Sequence, residues 1–189
     1  MKKLNQSQFA LLGLLSLGPR SGYDLKQLSE WSVGHFWREG YGQIYPSLKR
    51  LAAAGLVKRS TERNKGRPER MVYTLTARGR KEMAAWLQKS AAAEIPRNEL
   101  LMKVFFGGME DTRTGAKNVR KHIADKMAQC ERDMEELKET QRRIEREAAR
   151  HPQKPFWLMT LRYGEHMIRA RIAWCGETTK KLNQIKKTR

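Results

Sequence analysis

The sequence has 189 residues and a formal net charge of +19, which comes from 39 basic and 20 acidic residues. So large a positive charge favours an anionic partner such as nucleic acid or an acidic membrane surface. No apolar run approaches the roughly 20 residues that a membrane-spanning helix needs. The two cysteines, Cys130 and Cys175, form no Cys-x-x-Cys motif, which argues against a disulfide framework or a thiolate zinc site and favours a reducing, cytoplasmic location.

Two capping signals mark the starts of the first two predicted helices. Asn5 and Gln8 are spaced as a capping box, and the apolar run that follows ends at a Gly-Pro pair. Ser21 and Asp24 have the same spacing, so a second helix is predicted to begin there.

The residues from Tyr41 to Pro46 are predicted to open a third helix, with Pro46 tolerated in its first turn. Ile44, Leu48 and Leu51 fall on one face of this helix and are predicted to be buried. The opposite face then carries the polar and basic residues Gln43, Lys49 and Arg50, together with Pro46.

Two strand-like runs follow, at residues 56–60 and 71–75, and Met71, Tyr73 and Leu75 alternate toward one side of the second run. The stretch between them contains glycine and proline and is typical of a hairpin tip. We therefore predict a small two-stranded β wing.

Thr76 is placed to cap a fourth helix, on which Met83, Trp86 and Leu87 form one stripe. The segment from residue 49 to residue 81 contains eleven Lys and Arg against two acidic residues. Three helices, a basic hairpin and a fourth helix predict a winged helix-turn-helix DNA-binding domain over residues 1–95, whose third helix enters the major groove.

Residues 96–189 are predicted to form an α-helical dimerisation domain. A short helix at residues 100–106 precedes Gly107-Gly108, which we interpret as a joint between the two halves. Apolar residues then recur at steps of three and four, which predicts a coiled-coil seam with Gln141 as its one polar position. The seam consists of Ile123, Met127, Cys130, Met134, Leu137, Ile144 and Ala148.

The final helix, which begins near Pro155, has two apolar stripes and therefore needs two neighbours. Folding back on the long helix covers one stripe, and a second copy of the chain covers the other. One stripe contains Trp157, Leu161, Gly164, Ile168 and Ile172, and the other contains Tyr163, Met167, Ala170 and Trp174.

Gln43 is the best candidate to read a base, since an amide pairs bidentately with adenine, whereas Lys49 suits either guanine or phosphate. Tyr45 borders the core face of its helix and is as well placed to pack as to touch phosphate, and Tyr23 is equally suited to packing. The full set of predicted DNA contacts is Ser21, Tyr23, Lys26, Gly42, Gln43, Tyr45, Pro46, Lys49, Arg50, Arg63, Lys65, Arg67 and Arg70.

The sequence resembles the PadR family of transcriptional regulators. The resemblance is carried by residues 13–15, 18–19, 21–23, 42–51, 55–57 and 66–76, and residues 100–106 resemble the start of the virulence-activator-like C-terminal domain of a longer branch. It implies a winged-helix head, a homodimer joined through C-terminal helices, operators of approximate two-fold symmetry, and small hydrophobic effectors in some members.

Trp157 and Trp174 are candidates to line an effector pocket, although ordinary dimer packing is the favoured interpretation for both. The four histidines lack the i, i+4 pairing of a zinc helix, and no nucleophile elbow, phosphate loop or dinucleotide fingerprint is present. We therefore predict no metal, no cofactor and no enzyme activity. The alternatives are a non-specific RNA-binding or nucleoid protein and a helical scaffold for a protein partner.

Overall fold

The computed structural model describes residues 4–37, 41–62, 69–93, 97–109 and 111–185. It divides into two compact units, Met1–Ala93 and Glu94–Arg189. The predicted mainly helical fold class, with a small β wing and long C-terminal helices, is confirmed. Among the described residues, none of the helices combines the length and the apolar composition that a membrane span requires.

The first unit packs four helices around a small sheet. Its elements are α1 (Gln6–Leu15), β1 (Arg20–Ser21), α2 (Gly22–Ser32), α3 (Tyr41–Ala53), β2 (Val57–Glu62), β3 (Arg70–Leu75) and α4 (Ala77–Leu87). Leu12 of α1, Leu25 of α2, and Leu48 and Leu51 of α3 are fully buried in one core. This shared core fixes the three helices of the head.

The predicted helix caps are present. The Asn5 side chain accepts the Gln8 amide at 2.9 Å, and the Gln8 side chain accepts the Asn5 amide at 3.0 Å. The Thr76 hydroxyl accepts the Gly79 amide at 3.0 Å at the start of α4. Each cap satisfies an amide that has no partner within its own helix.

The sheet has three antiparallel strands in the order β1-β3-β2. The two predicted strands are present as β2 and β3, and the prediction missed the edge strand β1. Arg20 pairs with Tyr73 and Ser21 with Val72. Ser21 is the N-cap of α2 and has an extended backbone (φ −76°, ψ 166°), as N-caps generally do. The chain therefore adds a two-residue edge strand just before the helix begins.

Three details of the head differ from the prediction. α3 begins at Tyr41, so Pro46 is its sixth residue and removes an amide donor from the second turn, not the first. Met71 is 39% exposed because it lies toward the loop end of the hairpin, opposite Thr61. Leu87, the last residue of α4, is 66% exposed, whereas Trp86 stacks on Phe9 with ring centroids 4.8 Å apart.

The second unit contains α5 (Glu99–Phe105), α6 (Thr112–Glu147) and α7 (Lys154–Gln184), and α6 packs against α7. Buried residues recur every seven positions on both helices, and Gln141 is exposed. They are Ile123, Cys130, Leu137 and Ile144 on α6, and Leu161, Ile168, Cys175 and Leu182 on α7. The predicted seam is therefore the contact between two helices of one chain.

Gly107 and Gly108 do not form the joint between the two units, because they lie between α5 and α6 inside the second unit. A Cβ on Gly115 would overlap the Gly107 carbonyl oxygen. The glycines therefore allow the α5–α6 turn to lie against the first turn of α6.

Candidate nucleic-acid interface

Helix α3 presents one buried face and one exposed face. Ile44 and Leu48 are 2% and 0% exposed and anchor the helix in the core. The exposed residues between them and beyond them are Gly42, Gln43, Tyr45, Pro46, Lys49 and Arg50. All six predicted contact residues on this helix therefore lie on its solvent face.

Gln43 and Lys49 are polar side chains of this face that form no hydrogen bond or ion pair with another described residue. Arg50 is partly occupied, because its Nε donates to the Pro46 carbonyl oxygen at 3.3 Å. An amide and an ammonium group are thus available to a ligand on a rigid helix, and both are suited to base edges or phosphate in the major groove.

Tyr45 both packs and remains exposed. Its ring lies against the start of α2, where a Cβ built on Gly22 would be 2.6 Å from the Tyr45 Cε1 atom. The side chain is still 56% exposed. On α2 the neighbouring Tyr23 is 59% exposed, and its hydroxyl accepts a hydrogen bond of 3.0 Å from Gln27. The two tyrosines extend the exposed face of α3 toward the N-terminus of α2.

Ser21 is part of the internal structure of the head. It is 6% exposed, and its hydroxyl accepts the Asp24 amide at 3.2 Å while the Asp24 carboxylate accepts the Ser21 amide at 2.9 Å. Lys26 is partly buried, with 21% of its side chain exposed, and is paired with Glu30 at 3.3 Å. Neither side chain is as available to DNA as Gln43 or Lys49.

Arg70 also has internal partners. Its guanidinium forms an ion pair with Asp24 and donates from Nη2 to the Ser21 hydroxyl at 3.2 Å. It thereby ties the first residue of β3 to the cap of α2, 49 residues earlier. No local pattern of residues predicts this contact, because it depends on the pairing of β1 with β3.

The wing carries basic residues that the sequence reasoning did not single out. Lys58 and Arg59 on β2 are exposed, and only Val57 of that strand is buried. The signal available in the sequence was the run of polar and charged residues, Lys58 to Glu62, that follows Val57. The predicted tip contacts Arg63, Lys65 and Arg67 lie outside the described residues.

Trp157 and Trp174 do not line a common pocket within one chain. They lie 17 residues apart on α7, which is about 25 Å along a helix. Trp157 stacks on His151 with ring centroids 4.5 Å apart, whereas Trp174 packs against the apolar cluster that includes Ile123. Among the described residues, no group of three or more His, Cys, Asp or Glu side chains could hold a metal ion.

Two family models together match most of the chain. The model described as the transcriptional regulator PadR-like family matches residues 11–85, and the model described as virulence activator alpha C-term matches residues 96–183. The negative transcriptional regulator PadR of Bacillus subtilis is 35% identical over 100 residues, which are 52% of this chain and 55% of that protein. The chain therefore spans about half the length of the curated relatives it matches.

The solved structures share the fold over nearly the whole chain. A PadR-like transcriptional regulator from Bacillus cereus has a TM-score of 0.78 at 24% identity and covers 96% of this chain and 98% of its own. Bacillus subtilis PadR in complex with operator DNA has a TM-score of 0.78 at 23% identity and covers 94% and 99%. The same protein in complex with p-coumaric acid has a TM-score of 0.69 at 24% identity and covers 93% and 98%.

Proposed function

Because the chain belongs to the PadR-like family of transcriptional regulators, which are not enzymes, we propose that it is a cytoplasmic homodimer that binds a pseudo-palindromic operator and controls a nearby promoter. The observation that carries this proposal is the exposed face of α3, where Gln43 and Lys49 have no partner among the described residues. Three helices and a wing are the elements of a winged-helix DNA reader, whose third helix enters the major groove.

The proposed contacts fall into two groups. Gln43 reads a base edge, since its amide is matched to adenine. The remaining contacts add affinity that is independent of sequence and falls with salt. They are Tyr23, Gly42, Tyr45, Pro46, Lys49 and Arg50, with Arg63, Lys65 and Arg67 at the wing tip. Ser21, Lys26 and Arg70 leave the set of direct contacts, because their side chains are used within the head.

The dimer is supported by apolar side chains that the single chain leaves exposed in its second unit. Phe105 and Phe106 are 81% and 60% exposed, and Tyr163 and Met159 on α7 are 58% and 64% exposed. Apolar surface of this extent is typical of an interface. A second copy would place two α3 helices in successive major grooves, about 34 Å apart.

Phe105→Asp tests the dimer. We expect a monomer by sedimentation, because a carboxylate cannot be buried in an apolar contact without a partner. Leu87→Asp is the matched control, since Leu87 is 66% exposed but lies in the first unit. A Phe105→Asp protein that stays dimeric would contradict this assignment.

We also propose that a small hydrophobic molecule modulates operator binding. Support comes from the structure of Bacillus subtilis PadR with p-coumaric acid. Titrating p-coumaric acid and related phenols into the protein–operator complex tests the proposal, and we expect dissociation with at least one of them. If none changes the operator affinity, the effector proposal is wrong.

The central experiment is genome-wide mapping of bound sites, followed by competition binding with the operator found. We expect the operator to be preferred over random duplex by at least about a thousandfold. Gln43→Ala should reduce this preference by about 5- to 150-fold, since a bidentate base contact contributes about 1–3 kcal/mol of discrimination. Gln88→Ala, at an exposed glutamine beyond α4, should leave it unchanged. Equal affinity for operator, random duplex, RNA and heparin would favour the non-specific alternative.

A further inference from the structure

Basic residues are unevenly distributed along the α6–α7 hairpin. At the end formed by residues 112–126 and 171–184, eight Lys and Arg stand against only Asp125 and Glu177. In the rest of the hairpin, residues 127–170, nine Lys and Arg stand against eight acidic residues. One end of the hairpin is thus strongly cationic, and the other end is nearly neutral.

The two ends also differ in how their charges are paired. Six of the nine basic residues in 127–170 lie within 4.0 Å of a carboxylate, for example Arg142 with Glu139 at 2.9 Å. Hydrogen bonds from Arg169 and Arg162 hold the pKa of Glu165 below its ordinary value. Among the described residues, no ion pair involves the basic residues of the other end.

Four of these cations form one row on α6. Arg113, Lys117 and Lys121 are successive i, i+4 neighbours, with Arg120 beside them, and all four are exposed. Like charges at this spacing destabilise an isolated helix. The same spacing of basic residues recurs at Lys138, Arg142 and Arg146, but each of those cations is paired with a carboxylate. The row therefore differs from the later turns of α6 in leaving its charges without an ion pair among the described residues.

The C-terminal end of α7 lies next to this row. Arg120 donates from Nη2 to the Leu182 carbonyl oxygen at 3.1 Å, which brings Lys180 and Lys181 to the same end of the hairpin. From Arg113 to Lys121 the row extends about 12 Å at the standard helical rise. A straight, rigid row of cations is suited to a linear polyanion.

The composition of the row favours nucleic acid over a membrane. Helices that bind a membrane surface combine basic residues with an exposed apolar face. No large apolar side chain is exposed between residues 112 and 155, all of which the structure describes. Phosphate contacts need only the charge.

We infer that the row Arg113, Lys117, Arg120 and Lys121, with Lys180 and Lys181, is a second DNA-binding surface, which contacts the phosphates of duplex DNA flanking the operator. This inference rests on the proposed function, since it adds sequence-independent contacts to a specific complex. It predicts that the operator affinity depends on the length of the flanking duplex, and that this dependence is electrostatic.

The test uses the full chain with Arg113→Gln, Lys117→Gln and Lys121→Gln combined. The matched control is Lys138→Gln, Arg142→Gln and Arg146→Gln, which removes the same charge from the paired part of α6. Operator affinity is measured against salt on a duplex that ends at the operator and on one extended by about 20 base pairs, two helical turns, on each side. Each lost phosphate contact lowers the salt slope by about 0.9, so we expect a decrease of about 2.7 per protomer on the long duplex only.

The result that would overturn the inference is an equal change for both variants, or an equal loss on the short and long duplexes. If the first variant does not form a dimer, the double variant Lys180→Gln and Lys181→Gln is tested in its place. An unchanged salt slope of operator affinity on the long duplex would then refute the inference. We expect the first variant to lose the dependence of its operator affinity on flanking duplex length. Its preference for the operator over random duplex should be unchanged. Absence of operator preference in the unmodified protein would instead refute the proposed function.

Discussion

Arg70→Ala separates a structural arginine from a DNA-contacting one. Arg70 bonds both Asp24 and the Ser21 hydroxyl, and its side chain is 49% exposed. A partly exposed ion pair contributes up to about 1 kcal/mol, and a hydrogen bond to a charged group adds to it. We therefore expect the free energy of unfolding of the first unit to fall by about 1 kcal/mol, which corresponds to a decrease in Tm of about 4–8 °C for a domain of this size.

The same variant should leave the salt dependence of operator binding unchanged. Lys49→Ala should do the opposite, with Tm unchanged and a salt slope lower by about 0.9 per protomer, because Lys49 has no partner among the described residues. Arg59→Ala is the control for stability, since Arg59 is exposed on the neighbouring strand β2. Thermal unfolding by circular dichroism and titrations at four or more salt concentrations measure both effects. An Arg70→Ala protein with an unchanged Tm and a flattened salt dependence would refute this assignment.

Three further predictions concern packing. Ser47 is fully buried, and its hydroxyl has no partner among the described residues, so Ser47→Ala should leave Tm unchanged or raise it; a large decrease would show a hidden hydrogen bond. Gly115→Ala should lower the free energy of unfolding by about 1–3 kcal/mol or more, because a Cβ would overlap the Gly107 carbonyl oxygen. Gly176→Ala is the control and should not destabilise the protein, because the space around Gly176 is open. Burial raises the pKa of the Cys175 thiol, so its alkylation at pH 8 should be slower in the native than in the unfolded chain and should accelerate as pH rises toward 10; equal rates would contradict the assignment.

The features that the sequence predicted correctly are those that local spacing determines. The capping boxes at Asn5 and Ser21 need only residues three positions apart, and both are present. The burial of Ile44, Leu48 and Leu51 follows from helical periodicity in the same way. The exposed face of α3, and with it Gln43 and Lys49, could therefore be predicted without a structure.

The features that were missed depend on residues far apart in the chain. β1 has only two residues and no strand pattern, and it exists because the extended cap of α2 lies beside β3. The contact of Tyr45 with Gly22 and the ion pair of Arg70 with Asp24 follow from the same packing. Sequence periodicity also predicted the apolar surface of the second unit, but Gly107 was interpreted as a joint between the two halves and lies within the second unit.

Counting charges along the sequence therefore overestimates the number of DNA contacts in the head. The segment from residue 49 to residue 81 contains eleven basic residues, but Arg70 is neutralised by Asp24 and Arg50 is partly held by the Pro46 carbonyl. Only a cation that replaces a counterion on DNA contributes to the salt slope. If the slope measured on the long operator duplex exceeds what the unpaired cations of the head supply, the excess must come from elsewhere in the chain, and the row on α6 is the source that we propose.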